Sequence, residues 1–210
     1  MTLAIADMVR AVLTIESLAM VLALAYLLLA ARESLWCWWC ALASSLLYVS
    51  VFLKANLYTE TALNVFYAVM AVVGWWQWRQ GTGHKSVNND TSDNSIRAII
   101  SFGPRHHAAC LALTLVLALA NGYVMQRYTT AAWPFVDAFI SWGSVITTFL
   151  VVRKVLENWM YWIVLDGIAI VVYLDRGLYL TALLFAAYVV IAVFGYLRWL
   201  REYRAQPRLS

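Results

Sequence analysis

The chain has 210 residues, of which 64% are hydrophobic and only 12% charged, with a mean hydropathy of +0.73. A soluble domain carries about 25% charged residues and about half apolar ones, so this composition excludes a soluble globular fold, a disordered chain, a collagen and a disulfide scaffold. The net charge of +4 rests on 15 Lys and Arg spread between apolar runs, a pattern that reads as membrane topology rather than nucleic-acid binding.

A bilayer core about 30 Å thick needs roughly 20 apolar residues per helix. Seven such runs occur, at about 12–31, 35–53, 57–78, 108–126, 133–151, 159–175 and 178–200. The expected fold is an all-α integral membrane protein with seven transmembrane helices. Ahead of the first run, Asp7 precedes Arg10 and no basic stretch leads to a small-residue cleavage site, so no cleaved signal peptide is expected. The second run opens on Cys37-Trp38-Trp39-Cys40, the spacing of a redox pair. A thiol relay needs a second pair and only Cys110 remains, so these cysteines read as small apolar fillers.

The third run places Glu60, Asn64, Tyr67, Ala71, Gly74 and Trp78 at steps of 4, 3, 4, 3 and 4, one continuous helical face. Ala71 and Gly74 read as a packing seam. Asn64 and Tyr67 read as cavity-lining, because an unpaired amide facing lipid is costly. The stretch 79–107 contains Gly-Thr-Gly-His-Lys-Ser-Val-Asn-Asn-Asp-Thr and reads as a flexible loop. The run 108–126 follows as a linker helix.

The fifth run carries Asp137, Ser141, Ser144 and Thr148 at steps of 4, 3 and 4, an acid and three hydroxyls on one face, read as a polar lining. The sixth carries Trp159, Trp162 and Asp166 at steps of 3 and 4, with Tyr173 on the same face. Asp166 is near mid-span, where a carboxylate is expensive and marks a functional site. Trp159 is near the inner interface, where an aromatic belt explains it equally well, whereas Trp162 lies deeper. The 11 tryptophans include Trp36, Trp38, Trp39, Trp75 and Trp76 near inner helix ends, as belt residues are. His84, His106 and His107 lie in or beside the loop, so no helix interior offers an imidazole for haem or zinc. Helix seven has no lysine for a retinal Schiff base, and no phosphate loop or nucleophile elbow appears. No cofactor or metal is expected.

Of the 15 basic residues, Arg10, Lys54, Arg127 and Arg176 fall on one side of the membrane and the other eleven on the opposite side. The positive-inside rule then puts the C-terminus and the long loop in the cytoplasm and the N-terminus in the periplasm. A shift of 121 residues superposes Leu53, Leu57, Tyr58, Leu63, Tyr67, Val69, Ala71, Val72, Gly74 and Trp78 on identical residues at 174–199. The same shift puts Arg32 on Arg153, Trp38 on Trp159 and Glu16 on Asp137. Three-helix repeats are therefore expected over 1–78 and 132–203, joined by loop and linker helix 79–131, with a cytoplasmic tail at 204–210. The single linker crossing makes the copies parallel, a 3+1+3 plan of transporter type with its site expected between the repeats near mid-membrane.

The residues Leu57-Tyr58, Asn64, Tyr67, Gly74-Trp75 and Trp78, then Glu157-Asn158-Trp159, Trp162 and Asp166, then Gly177-Leu178-Tyr179-Leu180-Thr181-Ala182, resemble the PnuC family of bacterial vitamin transporters over about 11–203. That family is similar in its 3+1+3 plan to the sugar transporters called SWEETs. The resemblance implies facilitated diffusion of a non-phosphorylated vitamin across the bacterial inner membrane, with trapping by a cytoplasmic kinase, and a homo-oligomer, a trimer. Nicotinamide riboside ranks first, thiamine second and riboflavin third. Trp and Tyr faces suit a heteroaromatic ring, hydroxyls suit a ribose, and a carboxylate in low dielectric favours a cationic ring over a phosphate. The competing reading is a membrane enzyme built on Glu16, Glu60, Asp137 and Asp166. Those acids lie on separate helices without the spacing of a divalent-metal site.

Overall fold

The computed structural model of the chain describes residues 2–54, 58–80, 97–129 and 132–206. Of the expected loop 79–107, residues 81–96 lie outside the described residues. Seven helices follow in order: α1 (Thr2–Ala31), α2 (Trp36–Lys54), α3 (Tyr58–Arg79), α4 (Pro104–Tyr128), α5 (Pro134–Val152), α6 (Asn158–Asp175) and α7 (Tyr179–Ala205). Among the described residues, Trp36–Lys54, Pro104–Tyr128, Pro134–Val152, Asn158–Asp175 and Thr181–Ala205 are long and apolar enough to cross a membrane. A shorter apolar segment, Ile15–Ala31, lies within α1. Helix α3 is less apolar because it carries Glu60, Asn64, Gln77 and Arg79. Large side chains such as Leu119, Val171, Leu183 and Phe194 stay exposed on the helices, a surface suited to acyl chains rather than water.

The chain divides into two compact units, Met1–Ile96 and Arg97–Ser210. In the first, α1 packs on α2 and α2 on α3; in the second, α4 packs on α5, α5 on α6 and α6 on α7. Lipid offers no hydrophobic drive for helix association, so close fit and interhelical hydrogen bonds must supply it. In the first unit the buried Ser44 hydroxyl on α2 donates to the Ala19 carbonyl on α1 at 2.7 Å. In the second unit Gly143 sits against Leu165, and Gly122 against Phe135.

Two pieces of local construction occur in both units at the 121-residue offset. The first is the end of α1 and of α5. Glu33 N–H donates to Ala30 O and Ser34 N–H to Leu29 O, both at 3.0 Å; Lys154 N–H donates to Val151 O and Val155 N–H to Leu150 O, both at 2.9 Å. These are Schellman closures, and both place a non-glycine residue in the left-handed region, Glu33 at φ 57° and Lys154 at φ 55°. The second is a tryptophan–glycine–tryptophan contact. Trp38 lies edge-on to Trp78, centroids 5.1 Å apart at 86°, with its far ring edge over Gly74. Trp159 lies edge-on to Trp199, 5.4 Å apart at 89°, with the same ring edge over Gly195. All four rings are buried.

Candidate functional site

Helix α6 is buried along Asn158, Trp159, Leu165, Asp166, Ala169 and Val172, the helical face it turns toward its unit. Asp166 stands at the midpoint of α6 and is 7% exposed. Among the described residues, no Lys or Arg forms an ion pair with it. Trp162, one turn earlier, is half-buried, and no described aromatic ring packs on it. Tyr173 is half-buried with its ring 5.0 Å from Phe185 of α7.

Helix α5 turns Ser144, Thr147 and Thr148 inward. Thr147 donates its hydroxyl proton to Gly143 O and Thr148 donates to Ser144 O, both at 2.7 Å. Such back-bonding leaves these two hydroxyls as acceptors only toward any other group. Ser141 is half-buried on the next turn out. Asp137, at the start of α5, accepts a hydrogen bond from Arg176 Nη2 at 2.7 Å. Beside it, Trp133 Nε1 donates to Asp175 Oδ2 at 2.9 Å. This end of α5 is thus tied to the end of α6, and the Asp137 carboxylate has a protein partner.

Of the expected site residues, the second unit therefore brings Ser141, Ser144 and Thr148 onto α5 and Trp162, Asp166 and Tyr173 onto the adjoining α6. Trp159 is 1% exposed, held between Gly195 and Trp199 of α7. In the first unit, Asn64 turns its amide back along α3, where Nδ2 donates to Glu60 O at 2.9 Å. Tyr67 is half-buried next to Phe66, with ring centroids 5.6 Å apart.

Two residues not among the expected set stand out. Asn158 is fully buried; its Nδ2 donates to Val155 O at 2.7 Å while Oδ1 meets no donor among the described residues. Trp142, at the middle of α5, has a buried Nε1 with no acceptor among the described residues. A buried polar atom without a partner costs about 1–3 kcal/mol, so each is a candidate contact for a bound molecule or water. Trp142 carried a usable sequence signal: it lies mid-run, far from either interface where belt tryptophans belong. The indole N–H groups of Trp38 and Trp159, one in each unit, are also buried without acceptors among the described residues. Among the described residues no three His, Cys, Asp or Glu side chains converge to hold a metal.

The sequence profile of the family described as Nicotinamide mononucleotide transporter matches residues 13–201. The chain is 23% identical to the nicotinamide riboside transporter PnuC of Escherichia coli, covering 90% of this chain and 86% of that protein. It is also 23% identical to the riboflavin/roseoflavin transporter RibM of Streptomyces davaonensis, covering 90% of this chain and 85% of the relative. The crystal structure of the vitamin B3 transporter PnuC superposes with a TM-score of 0.71, covering 97% of this chain and 88% of that one, at 20% identity.

Proposed function

The chain belongs to the nicotinamide mononucleotide transporter family, the PnuC family, and is a multi-pass membrane transporter and not an enzyme; on that premise we propose that it carries a non-phosphorylated vitamin with a cationic ring, nicotinamide riboside first, by facilitated diffusion across the bacterial inner membrane. A cytoplasmic kinase then traps the vitamin. The observation that carries this reading is Asp166, a carboxylate buried at the middle of α6 with no described basic partner. Burial of an uncompensated charge is costly, and a cationic ligand repays it where a phosphate would add repulsion. Inside the seven apolar runs the sequence has one basic residue, Arg198, near the end of the last, so no run carries a phosphate-binding cation near its middle. The family description names a phosphorylated nucleotide; the charge distribution of this chain favours the riboside.

Trp162 supplies a stacking face, and Ser141, Ser144 and Thr148 supply hydroxyl oxygens to a ribose or hydroxyethyl group. Trp142 and Asn158 add an indole donor and an amide acceptor that have no partner among the described residues. The riboflavin relative at the same 23% identity favours riboflavin as a second reading, ahead of thiamine. The 3+1+3 plan with parallel repeats is part of the proposal. It is supported by the matching Schellman closures and tryptophan–glycine–tryptophan contacts at the 121-residue offset. So is a cytoplasmic C-terminus, which a reporter fused after Ser210 tests.

Binding of nicotinamide riboside, thiamine, riboflavin and their phosphates to purified wild type, Trp162→Ala and Asp166→Asn tests the reading. Loss of a stacked cationic ring should cost about 1–2 kcal/mol, roughly tenfold in affinity. Equal binding by all three proteins removes these residues from the site, and preference for a phosphorylated form overturns the charge assignment.

A further inference from the structure

The segment just before α4 lies along the turn between α5 and α6. Ile100 N–H donates to Lys154 O at 3.0 Å and Ile100 O accepts from Leu156 N–H at 2.8 Å, so Ile100 pairs with Val155 as two parallel strands do. Ile99, Val155 and Leu156 are buried in this contact. Beyond the end of α7, the Gln206 amide brackets Ile99. In the orientation that satisfies both groups, its nitrogen donates to Ile99 O and its oxygen accepts from Ile99 N–H, each at 3.0 Å.

Glu157 completes the attachment. It is the N-cap residue of α6, yet its side chain makes no capping bond to its own helix. Its carboxylate instead accepts from the Ser101 hydroxyl and from Phe102 N–H, the latter at 3.2 Å. His107 of α4 approaches the same carboxylate at 3.8 Å with Nε2 and is hydrogen-bonded through Nδ1 to the Tyr161 hydroxyl at 2.9 Å. Glu157 and Tyr161 are one turn apart. The first two turns of α6 are therefore held at two heights from one side, and a helix held at two points cannot rotate freely about its axis. The next residue after each anchor, Asn158 and Trp162, belongs to the inward face. At the 121-residue offset the first unit has Trp36 in place of Glu157, 70% exposed, so the anchor is built on one unit only.

We propose that Glu157, through the strap 99–102 and His107, is a positioning residue that sets the rotation of α6 and so aims Trp162 and Asp166 at the transported molecule. This deepens the transporter reading and rests on it. The test compares wild type with Glu157→Ala and the milder Ser101→Ala, in full-length purified protein. Hydrogen–deuterium exchange of the 97–103 peptide reads the strap directly, and uptake of nicotinamide riboside into proteoliposomes reads half-saturation and maximal rate separately. Glu157→Ala is expected to speed exchange of the strap at least tenfold. It is also expected to raise half-saturation about tenfold while maximal rate stays within twofold; Ser101→Ala moves the same two quantities in the same direction by about threefold. Glu157→Asp, which keeps the charge, restores most of the affinity. Unchanged exchange in Glu157→Ala overturns the anchor. Faster exchange with unchanged half-saturation overturns the positioning role and leaves a clamp without consequence for transport. Trp162→Ala in parallel separates the two levels: if it leaves nicotinamide riboside affinity unchanged, the assignment of the site fails, and the positioning proposal falls with it even where the strap responds.

Discussion

A methyl group added at Gly74 would lie 2.3 Å from Cη2 and 2.5 Å from Cζ2 and Cζ3 of Trp38; at Gly195 the same three atoms of Trp159 would lie at 2.8 Å. Carbon atoms in good contact are about 3.5–4.0 Å apart, so both alanine substitutions overlap the ring, Gly74→Ala more severely. The ring has little room to yield, because Trp38 is wedged against Trp78 and Trp159 against Trp199. The neighbouring helix must shift instead. Overpacking of this kind costs about 1–3 kcal/mol, while removing glycine from a helix interior returns about 0.5–1 kcal/mol. The net loss is then about 2 kcal/mol for Gly74→Ala and about 1 kcal/mol for Gly195→Ala. For a chain of this size each kcal/mol moves Tm by about 2–4 °C. Thermal unfolding of the detergent-purified protein should therefore show drops of roughly 4–8 °C and 2–4 °C, in that order. Trp38→Ala is itself destabilising, but on that background Gly74→Ala should become neutral or favourable, since the obstructing ring is gone. A Gly74→Ala protein as stable as wild type, or a loss that persists unchanged in the Trp38→Ala background, would refute the contact as a packing determinant.

Other changes probe the second unit and the expected loop. Gly177 closes α6 at φ 72° with nothing within 4 Å of where a Cβ would stand, so Gly177→Ala should cost about 1–2 kcal/mol from backbone conformation alone, measured as a lower Tm, and Gly177→Asn less. The Asp137–Arg176 pair is 24–31% exposed and should contribute about 0–1 kcal/mol, so Asp137→Asn and Arg176→Gln should lower Tm equally and slightly; loss of uptake in Asp137→Asn alone would give that carboxylate a substrate contact. Shortening 82–94 should leave uptake within twofold, because its composition cannot bury surface; complete loss with normal membrane insertion would assign the segment a gating role.

The seven apolar runs coincide with the seven helices, because a continuous apolar stretch of about 20 residues is a length signal that needs no tertiary detail to read. The start of α1 differs most, followed by the end of α7 and the start of α4. Helix α1 begins at Thr2 rather than near residue 12, and α4 at Pro104 rather than 108, since a helix continues past the hydrocarbon where polar side chains meet water. Proline at the first position of α4 was the available mark of that earlier start. The 121-residue shift paired Gly74 with Gly195 and Trp78 with Trp199, yet spacing alone gives a face and not the neighbour on it. Trp159 accordingly read as belt or cavity, and its contact with Gly195 could only come from the fold. The Asp137–Arg176 pair joins residues 39 apart, and the strap at Ile100 binds through backbone atoms, which leave no side-chain pattern to read.

The two units share their mechanical contacts and differ in their polar chemistry. At the 121-residue offset Asn158 corresponds to Cys37, Trp162 to Ala41, Asp166 to Ser45, Ser141 to Met20 and Thr148 to Leu27. The polar groups proposed to contact the ligand are thus mostly on α5 and α6, while closures and ring contacts appear in both units. Asp166→Ser separates these two layers, because it installs the residue that the first unit already buries at Ser45. A serine is smaller and uncharged, so removing a buried carboxylate should not destabilise the helix pair, and Tm should hold or rise. The charge that favours a cationic ring would be lost. Affinity for nicotinamide riboside should fall about tenfold, as for loss of an interaction of roughly 1.4 kcal/mol, while affinity for neutral riboflavin stays within twofold. Direct binding measurements with both vitamins check this. An equal fall for both would mean that Asp166 shapes the cavity rather than selecting charge, and a collapse in Tm with no change in preference would make it a structural group.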